Sequence, residues 1–291
     1  METKLTTYTF KIKRTLLKYK MIKNIKLIRS CIIFALSSIV IFSSSMFSAY
    51  SQQMPNMNKD TSVVKQKNMK DMQNMEMLPM PFFTYMGMPM DVGAYNLRVA
   101  ALPTQNEGKT NTEFDVQFMT GLSKTVGLHL EGRGTFKDPT LEAMVQFLVW
   151  KSKNGMNAIS PIIEFEFPLG KEATRRVYTL VGFSSTLSNS HLAFNQVLHY
   201  SPLEDLAEGS FSLVYKMSNR IFLVSEISGV FQKGELPISN LLGGVKIKLN
   251  QNFMIGIGYQ QPITTNKDFS SQYIFQPDMY WKNKSSVQLP K

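Results

Sequence analysis

Thioether sulfurs crowd one stretch of the chain: Met54, Met57, Met69, Met72, Met75, Met77, Met80, Met86, Met88 and Met90, ten of the nineteen methionines in the sequence. Most neighbours in this set stand two or three positions apart, close enough for several sulfurs to converge on one ion. Soft, neutral sulfur suits Cu(I) or Ag(I) far better than zinc, calcium or magnesium. In an oxidising compartment it also serves where a cysteine would be oxidised. The same side chains read equally as flexible apolar contacts that pack on the mouth of a folded domain or bind another protein. No histidine lies among them, and the interspersed Asn, Lys, Gln and Pro suit a disordered tail.

A second set of candidates is ionisable and strictly alternating. Glu113 and Asp115 alternate with Phe114 and Val116, and His129, Glu131 and Arg133 alternate with Leu128 and Leu130. Glu164 and Glu166 alternate with Ile163, Phe165 and Phe167, and Lys246 and Lys248 with Val245, Ile247 and Leu249. Side chains two apart share one face of a strand, so each such segment has an apolar face and a charged one. If the charged faces line a lumen, Glu113, Asp115, Glu131, Glu142, Glu164 and Glu166 form an acidic wall opposed locally by Arg133. Arg176, Lys216, Lys246 and Lys248 then form a basic wall, and Glu226 and Asp278 break the segregation. Facing walls of opposite charge create a transverse field suited to a channel. The alternative is that acids and bases pair across the interior and fill it.

A third candidate, His199-Tyr200-Ser201, is similar to the His-x-Ser of outer-membrane lipid hydrolases, in which histidine activates serine as nucleophile. Strand parity turns Leu192, Phe194, Leu198 and Tyr200 to one side and Asn195, His199 and Ser201 to the other, away from lipid. A lipid hydrolase needs its serine on the lipid side, and no third partner is apparent, so the reading is non-enzymatic.

The elements that must position these residues are short. From Ala94 to Asn283 the sequence divides into twelve period-2 segments at about 16-residue spacing, bounded by Gly, Pro, Asn, Asp and Ser, as expected for membrane strands of ~9–11 residues plus a turn. They fall at roughly 94–102, 112–122, 125–136, 140–151, 157–167, 174–184, 189–200, 208–217, 220–231, 239–249, 252–261 and 272–283. The fold class expected is all-β, an antiparallel up-and-down transmembrane β-barrel of about twelve strands behind a disordered methionine-rich tail. A soluble barrel or sandwich with the apolar face inward fits the alternation too. Loop lengths favour lipid outside. Ser123-Lys124, Ser218-Asn219 and Asn250-Gln251 read as tight turns, whereas Pro103–Asn111, Ser201–Ala207 and Pro262–Ser271 read as longer outer loops; Lys137-Asp138-Pro139 breaks the trend. Tyr95, Phe136, Trp150, Tyr200, Phe231, Tyr259, Tyr280 and Trp281 fall near segment ends, as interfacial girdles require.

Upstream, nine of the 32 bases and one of the 21 acids fall within 1–30, followed by the apolar run Cys31–Phe42. That run is too short for a bilayer core, which takes ~20 residues. With Ala49 and Ser51 before Gln52 it reads as a signal peptide over 1–51, with 1–20 possibly an over-extended start. The remaining chain carries 23 bases against 20 acids, so the basic surplus belongs to the address and nucleic acid is not an expected partner. Cys31, the single cysteine, goes with the signal, which removes disulfides and thiolate sites from the mature chain. The organisation expected is a signal over 1–51, a periplasmic tail over 52–92, a barrel over 93–284 and a short end over 285–291.

The order of parts resembles the copper-resistance outer-membrane proteins, through MPNM (54–57), MKDMQNMEM (69–77) and MGMPM (86–90) ahead of the strand repeats. The barrel is also similar to putative outer-membrane transporters of phenol-degradation pathways, through IIEFEFPLG (162–170). These likenesses imply a Gram-negative outer-membrane barrel bathed in outer-membrane lipid, with its tail in the periplasm. There the tail binds Cu(I) or Ag(I) for export or tolerance and meets a periplasmic metal carrier. The alternative they leave is a general channel for small organic solutes. The terminal SSVQLPK departs from the aromatic ending usual in such barrels.

Overall fold

The computed structural model describes residues 78–106, 108–136, 138–170, 177–267 and 269–283. The signal, Cys31 and the first part of the methionine-rich stretch lie outside them. The described residues form strands and no helix: β1 (Ala94–Asn106), β2 (Lys109–Gly121), β3 (Val126–Gly134), β4 (Pro139–Phe147), β5 (Trp150–Lys151), β6 (Ala158–Pro168), β7 (Tyr178–Ser188), β8 (Leu192–Ser201), β9 (Leu206–Lys216), β10 (Ile221–Gln232), β11 (Ile238–Lys248), β12 (Phe253–Pro262) and β13 (Ser271–Lys282). Apart from the two-residue β5, which pairs only with β6, each strand is antiparallel to its neighbours in sequence, and β1 pairs with β13. The result is a closed barrel of twelve strands plus one short extra strand. Closure removes every sheet edge, the condition for placing strands in lipid.

Which face is lipid-facing is decided by burial. Lys246 is 0% and Arg98 1% exposed, and Asp115, Glu131, Glu142 and Glu164 are buried, whereas Leu130, Leu141, Ile163, Phe165 and Ile247 on the same strands, and Leu223 and Phe275 elsewhere in the barrel, are exposed. A soluble barrel would show the reverse, so the inward-apolar alternative is excluded. Near Ala94 and Lys282, Tyr95 stacks between Phe118 and Trp281, with centroids 6.1 and 5.7 Å away, and toward the other end Tyr259 packs on Tyr273 at 5.2 Å, in keeping with interfacial girdles. A cation on the outer face has no water to solvate it at the membrane midplane. Phe165→Lys is therefore expected to destabilise the barrel by about 2–4 kcal/mol, read as a shift in equilibrium urea unfolding in lipid vesicles.

Three boundaries differ from the sequence expectation. The expected long loop Pro103–Asn111 is instead a continuation of β1 and β2, closed by a hairpin at Gly108, whose φ of 78° suits only glycine without strain. Pro103 sits within the ladder opposite Thr112. The expected single segment 140–151 breaks at Leu148 and resumes as β5. Of the expected segment 174–184, residues 174–176 lie outside the described residues, Val177 is not in a strand, and β7 begins at Tyr178. The remaining connections keep an unequal pattern: 263–270 between β12 and β13 is long, but so is 148–157 between β4 and β6 on the opposite side.

Candidate functional site in the barrel lumen

The lumen is occupied by the chain itself. Residues 78–91 enter from the side of Ala94 and Lys282, reach mid-barrel at Phe82–Tyr85, and return to start β1. Composition assigns 52–92 to one tail, but 78–90 (LPMPFFTYMGMPM) differ from the rest in carrying no charge and three aromatic rings, and this segment is folded into the barrel. Leu78 and Phe82 join Ala100, Leu102, Phe222, Val224, Leu242 and Ile274 in one apolar cluster.

A buried backbone segment must find partners for its N–H and C=O groups, and the strands supply them from all sides. The Glu226 carboxylate of β10 accepts from three consecutive amides: Phe82 N–H, Phe83 N–H at 3.1 Å and Thr84 N–H at 2.9 Å. It also accepts from Thr84 Oγ1 at 2.9 Å. Successive N–H groups converging on one anion form a nest, here filled by a side chain. Carbonyls are matched by cations: Arg98 of β1 donates to Pro81 O at 3.0 Å and Phe82 O at 2.7 Å, and Lys246 of β11 donates to Pro81 O at 3.0 Å. Gln276 of β13 adds a bond to Phe82 O at 3.1 Å. On the return, Gln146 donates to Met86 O at 2.7 Å, Gly87 N–H donates to Thr186 Oγ1 at 2.7 Å, and Ser160 Oγ donates to Gly87 O at 2.7 Å. Phe82 lies over inward-facing glycines; a Cβ on Gly244 or Gly256 would stand 2.6 Å from its ring.

This loop divides the interior. On the side of the β1–β2, β3–β4 and β12–β13 connections lies a distal chamber of about 420 Å³, floored by Phe83 and Tyr85. On the side of Ala94 and Lys282 lies a proximal chamber of about 930 Å³. No described residue lines both.

The charged side chains sort along the barrel axis as well as around it, which departs from the transverse wall-to-wall arrangement expected. Glu113, Asp115, Glu131, Arg133 and Glu164 line the distal chamber. Arg133 Nε lies 2.5 Å from Glu142 and its Nη2 3.2 Å from Glu166, while Tyr85 Oη donates to Glu131 at 2.6 Å. Lys246 is committed to the loop, with Asp278 3.8 Å away, and Lys248 lines the proximal chamber. Lys216 is half-buried at the end of β9, and Arg176 lies outside the described residues. The residues that sequence reasoning did not single out are those that hold the loop: Arg98, Gln146, Gln276 and Tyr85, with Glu226 noticed only as an exception.

Of the candidate metal ligands, Met54, Met57, Met69, Met72, Met75 and Met77 lie outside the described residues. Met80, Met86, Met88 and Met90 line the proximal chamber together with Met156 and Met254 from the barrel. His199 and Ser201 face the lumen while Tyr200 is exposed. Neither His199 Nε2 nor Ser201 Oγ has a hydrogen-bond partner among the described residues, so the pair lacks the mutual bond that activates a serine. His199 Nδ1 instead faces Glu164 at 3.5 Å.

No known family and no curated protein matches the sequence. Among solved structures, the chain is similar to an outer-membrane channel from Pseudomonas putida F1 at 9% identity, covering 67% of this chain and 98% of that one with a TM-score of 0.51. The KdgM porin aligns at 8% identity over 65% and 99% of the two chains with a TM-score of 0.49. Outer membrane phospholipase A from Escherichia coli aligns at 10% identity over 72% and 97%, with a TM-score of 0.46. At such identities the likeness to the Pseudomonas protein is one of fold.

Proposed function

We propose that the protein is an outer-membrane channel for small polar solutes, held closed in this state by residues 78–91. The observation that carries this reading is the lumen itself: an apolar-surfaced barrel enclosing two chambers with ionisable walls, separated by a single loop. Barrels of about eight strands are filled by their own side chains and those of about sixteen leave an open bore. Twelve strands fall between, and here a segment of the chain takes up the difference. On this reading the methionine-rich stretch lies on the periplasmic side, and outer-membrane lipid surrounds the apolar band. Single-channel recording of the full mature chain in planar bilayers tests the reading. Rare openings from a mostly silent baseline are expected, and a barrel that never conducts, even with its loop released, overturns it.

A second reading has one observation of its own. Six methionines, Met80, Met86, Met88, Met90, Met156 and Met254, line the proximal chamber. Soft-metal capture of Cu(I) or Ag(I) is the chemistry such a lining favours. Deleting the whole tail would also remove the loop, so the test replaces these six methionines with leucine. Competition titration against a Cu(I) chelator is expected to show at least tenfold weaker retention by the leucine variant, and equal retention removes the chamber from the metal reading.

A further inference from the structure

We propose that the distal chamber binds a hard divalent cation of the calcium class, through Glu142, Glu164 and Glu166. One carboxylate oxygen from each lies within 4.8 Å of the other two. Calcium accepts irregular sets of oxygen ligands, whereas magnesium demands near-ideal octahedral geometry and gives up its waters reluctantly. Three carboxylates gathered on adjacent strands fit calcium better on that ground, and the all-oxygen donor set disfavours soft metals.

Strand register concentrates negative charge at this site. Glu131 is directly opposite Glu142, and Glu142 directly opposite Glu166, so three acids form a row across β3, β4 and β6. Like charges placed directly opposite destabilise a sheet. Among the described residues, the carboxylates of Asp115, Glu131, Glu142, Glu164 and Glu208 line the chamber beside the guanidinium of Arg133. Arg133 bridges Glu142 and Glu166 from the chamber side, with 48% of its side chain exposed against 5% and 15% for its partners. It is placed as a counterion that an entering metal displaces.

An independent observation points to an occupant. Asp115 is 3% exposed and its Oδ1 has no hydrogen-bond partner among the described residues; His199, whose side chain is 8% exposed, has none at Nε2. Both line the same chamber. Buried acceptors without partners are costly, and the water shell of a bound cation supplies the missing donors.

This site stands apart from conduction, since equilibrium binding and bilayer current are separate measurements and either can fail alone. The test is calorimetric titration of CaCl₂ into the full mature protein refolded in detergent, with folding checked by the mobility of unheated samples in electrophoresis. The parent is expected to bind about one Ca²⁺ saturably, and MgCl₂ at least tenfold more weakly. Glu142→Gln/Glu164→Gln is expected to lose at least tenfold in affinity, and Arg133→Gln, freed of its competing cation, to gain at least threefold. Glu166→Gln, at the more exposed edge of the cluster, replaces the double variant if that one does not fold. Absence of saturable binding by the parent, undiminished affinity in the glutamine variants, or no gain in Arg133→Gln overturns the proposal and leaves the acids as a structural network.

Discussion

Glu226→Ala is expected to convert a mostly silent barrel into a conducting one. The Glu226 carboxylate accepts from the amides of Phe82, Phe83 and Thr84 and from the Thr84 hydroxyl, all inside the barrel. Removing it leaves those donors buried without an acceptor in the same loop whose Pro81 O and Phe82 O are gripped by Lys246 and Arg98. Breaking a buried charged network by deleting one member costs about 3–5 kcal/mol. The loop escapes that cost by leaving its seat, where water satisfies the freed amides, whereas the barrel wall keeps its own ladder. At 1.4 kcal/mol per decade, the population with the loop released rises by two to three decades. Open-channel probability in planar bilayers should therefore increase at least a hundredfold. Glu226→Gln, which retains an oxygen acceptor but no charge, should fall between. A folded Glu226→Ala barrel with the same current as the parent would falsify the gate.

The anchor escaped sequence reasoning for a physical reason. Glu226 and Arg98 each bond mainly to backbone atoms, in the case of Glu226 of residues more than 140 positions away. Backbone partners leave no complementary side chain to be noticed, so Glu226 looked like an interruption in a basic wall. The strands were legible because lipid on one side and an ionisable lumen on the other impose period-2 alternation, as in His129–Leu130–Glu131. That signal ends where the membrane ends. Thr104–Asn106 and Lys109–Thr112 are polar on both faces yet remain in the β1–β2 ladder, so a strand continuing into water read as a loop. Loop length, which suggested the outward face from sequence, is the weaker argument here; the burial of Arg98 and Lys246 is the stronger one.

The methionines show how composition can group residues of unlike sequence context. Met69 to Met77 stand among Lys70, Asp71 and Glu76, whereas Met80 to Met90 stand in an uncharged stretch with Phe82, Phe83 and Tyr85. An uncharged, aromatic segment can lose its water without the cost of burying a charge. The transition near Leu78 was therefore the available sign that 78–90 can fold into the barrel. The same consideration explains why the return limb of the loop carries Gly87: it passes so close to β6 and β7 that no side chain fits between.

Gly87→Ala tests that seat without altering any charge. A Cβ at this position would stand 2.5 Å from Thr186 N, 2.6 Å from Ala158 O and 2.6 Å from the Ser185 carbonyl carbon. All three are backbone atoms of barrel strands, so no rotamer change relieves the contact. Either the wall or the loop must move. The wall is held by the continuous β6–β7 ladder, whereas the loop is held here by Gly87 N–H to Thr186 Oγ1, Ser160 Oγ to Gly87 O and Gln146 to Met86 O. Overpacking of a well-filled site costs about 1–3 kcal/mol, and displacement of Gly87 forfeits its two hydrogen bonds at about 1 kcal/mol each. The loop is the element that yields. The expected result is a barrel of parental electrophoretic mobility with protease cleavage within 78–91 accelerated at least tenfold and current raised in proportion. Because this variant leaves Glu226, Arg98 and Lys246 in place, increased current in both variants assigns the effect to position of the loop and not to the charge of the lumen. Faster cleavage without current would mean that the distal chamber is closed by something other than residues 78–91.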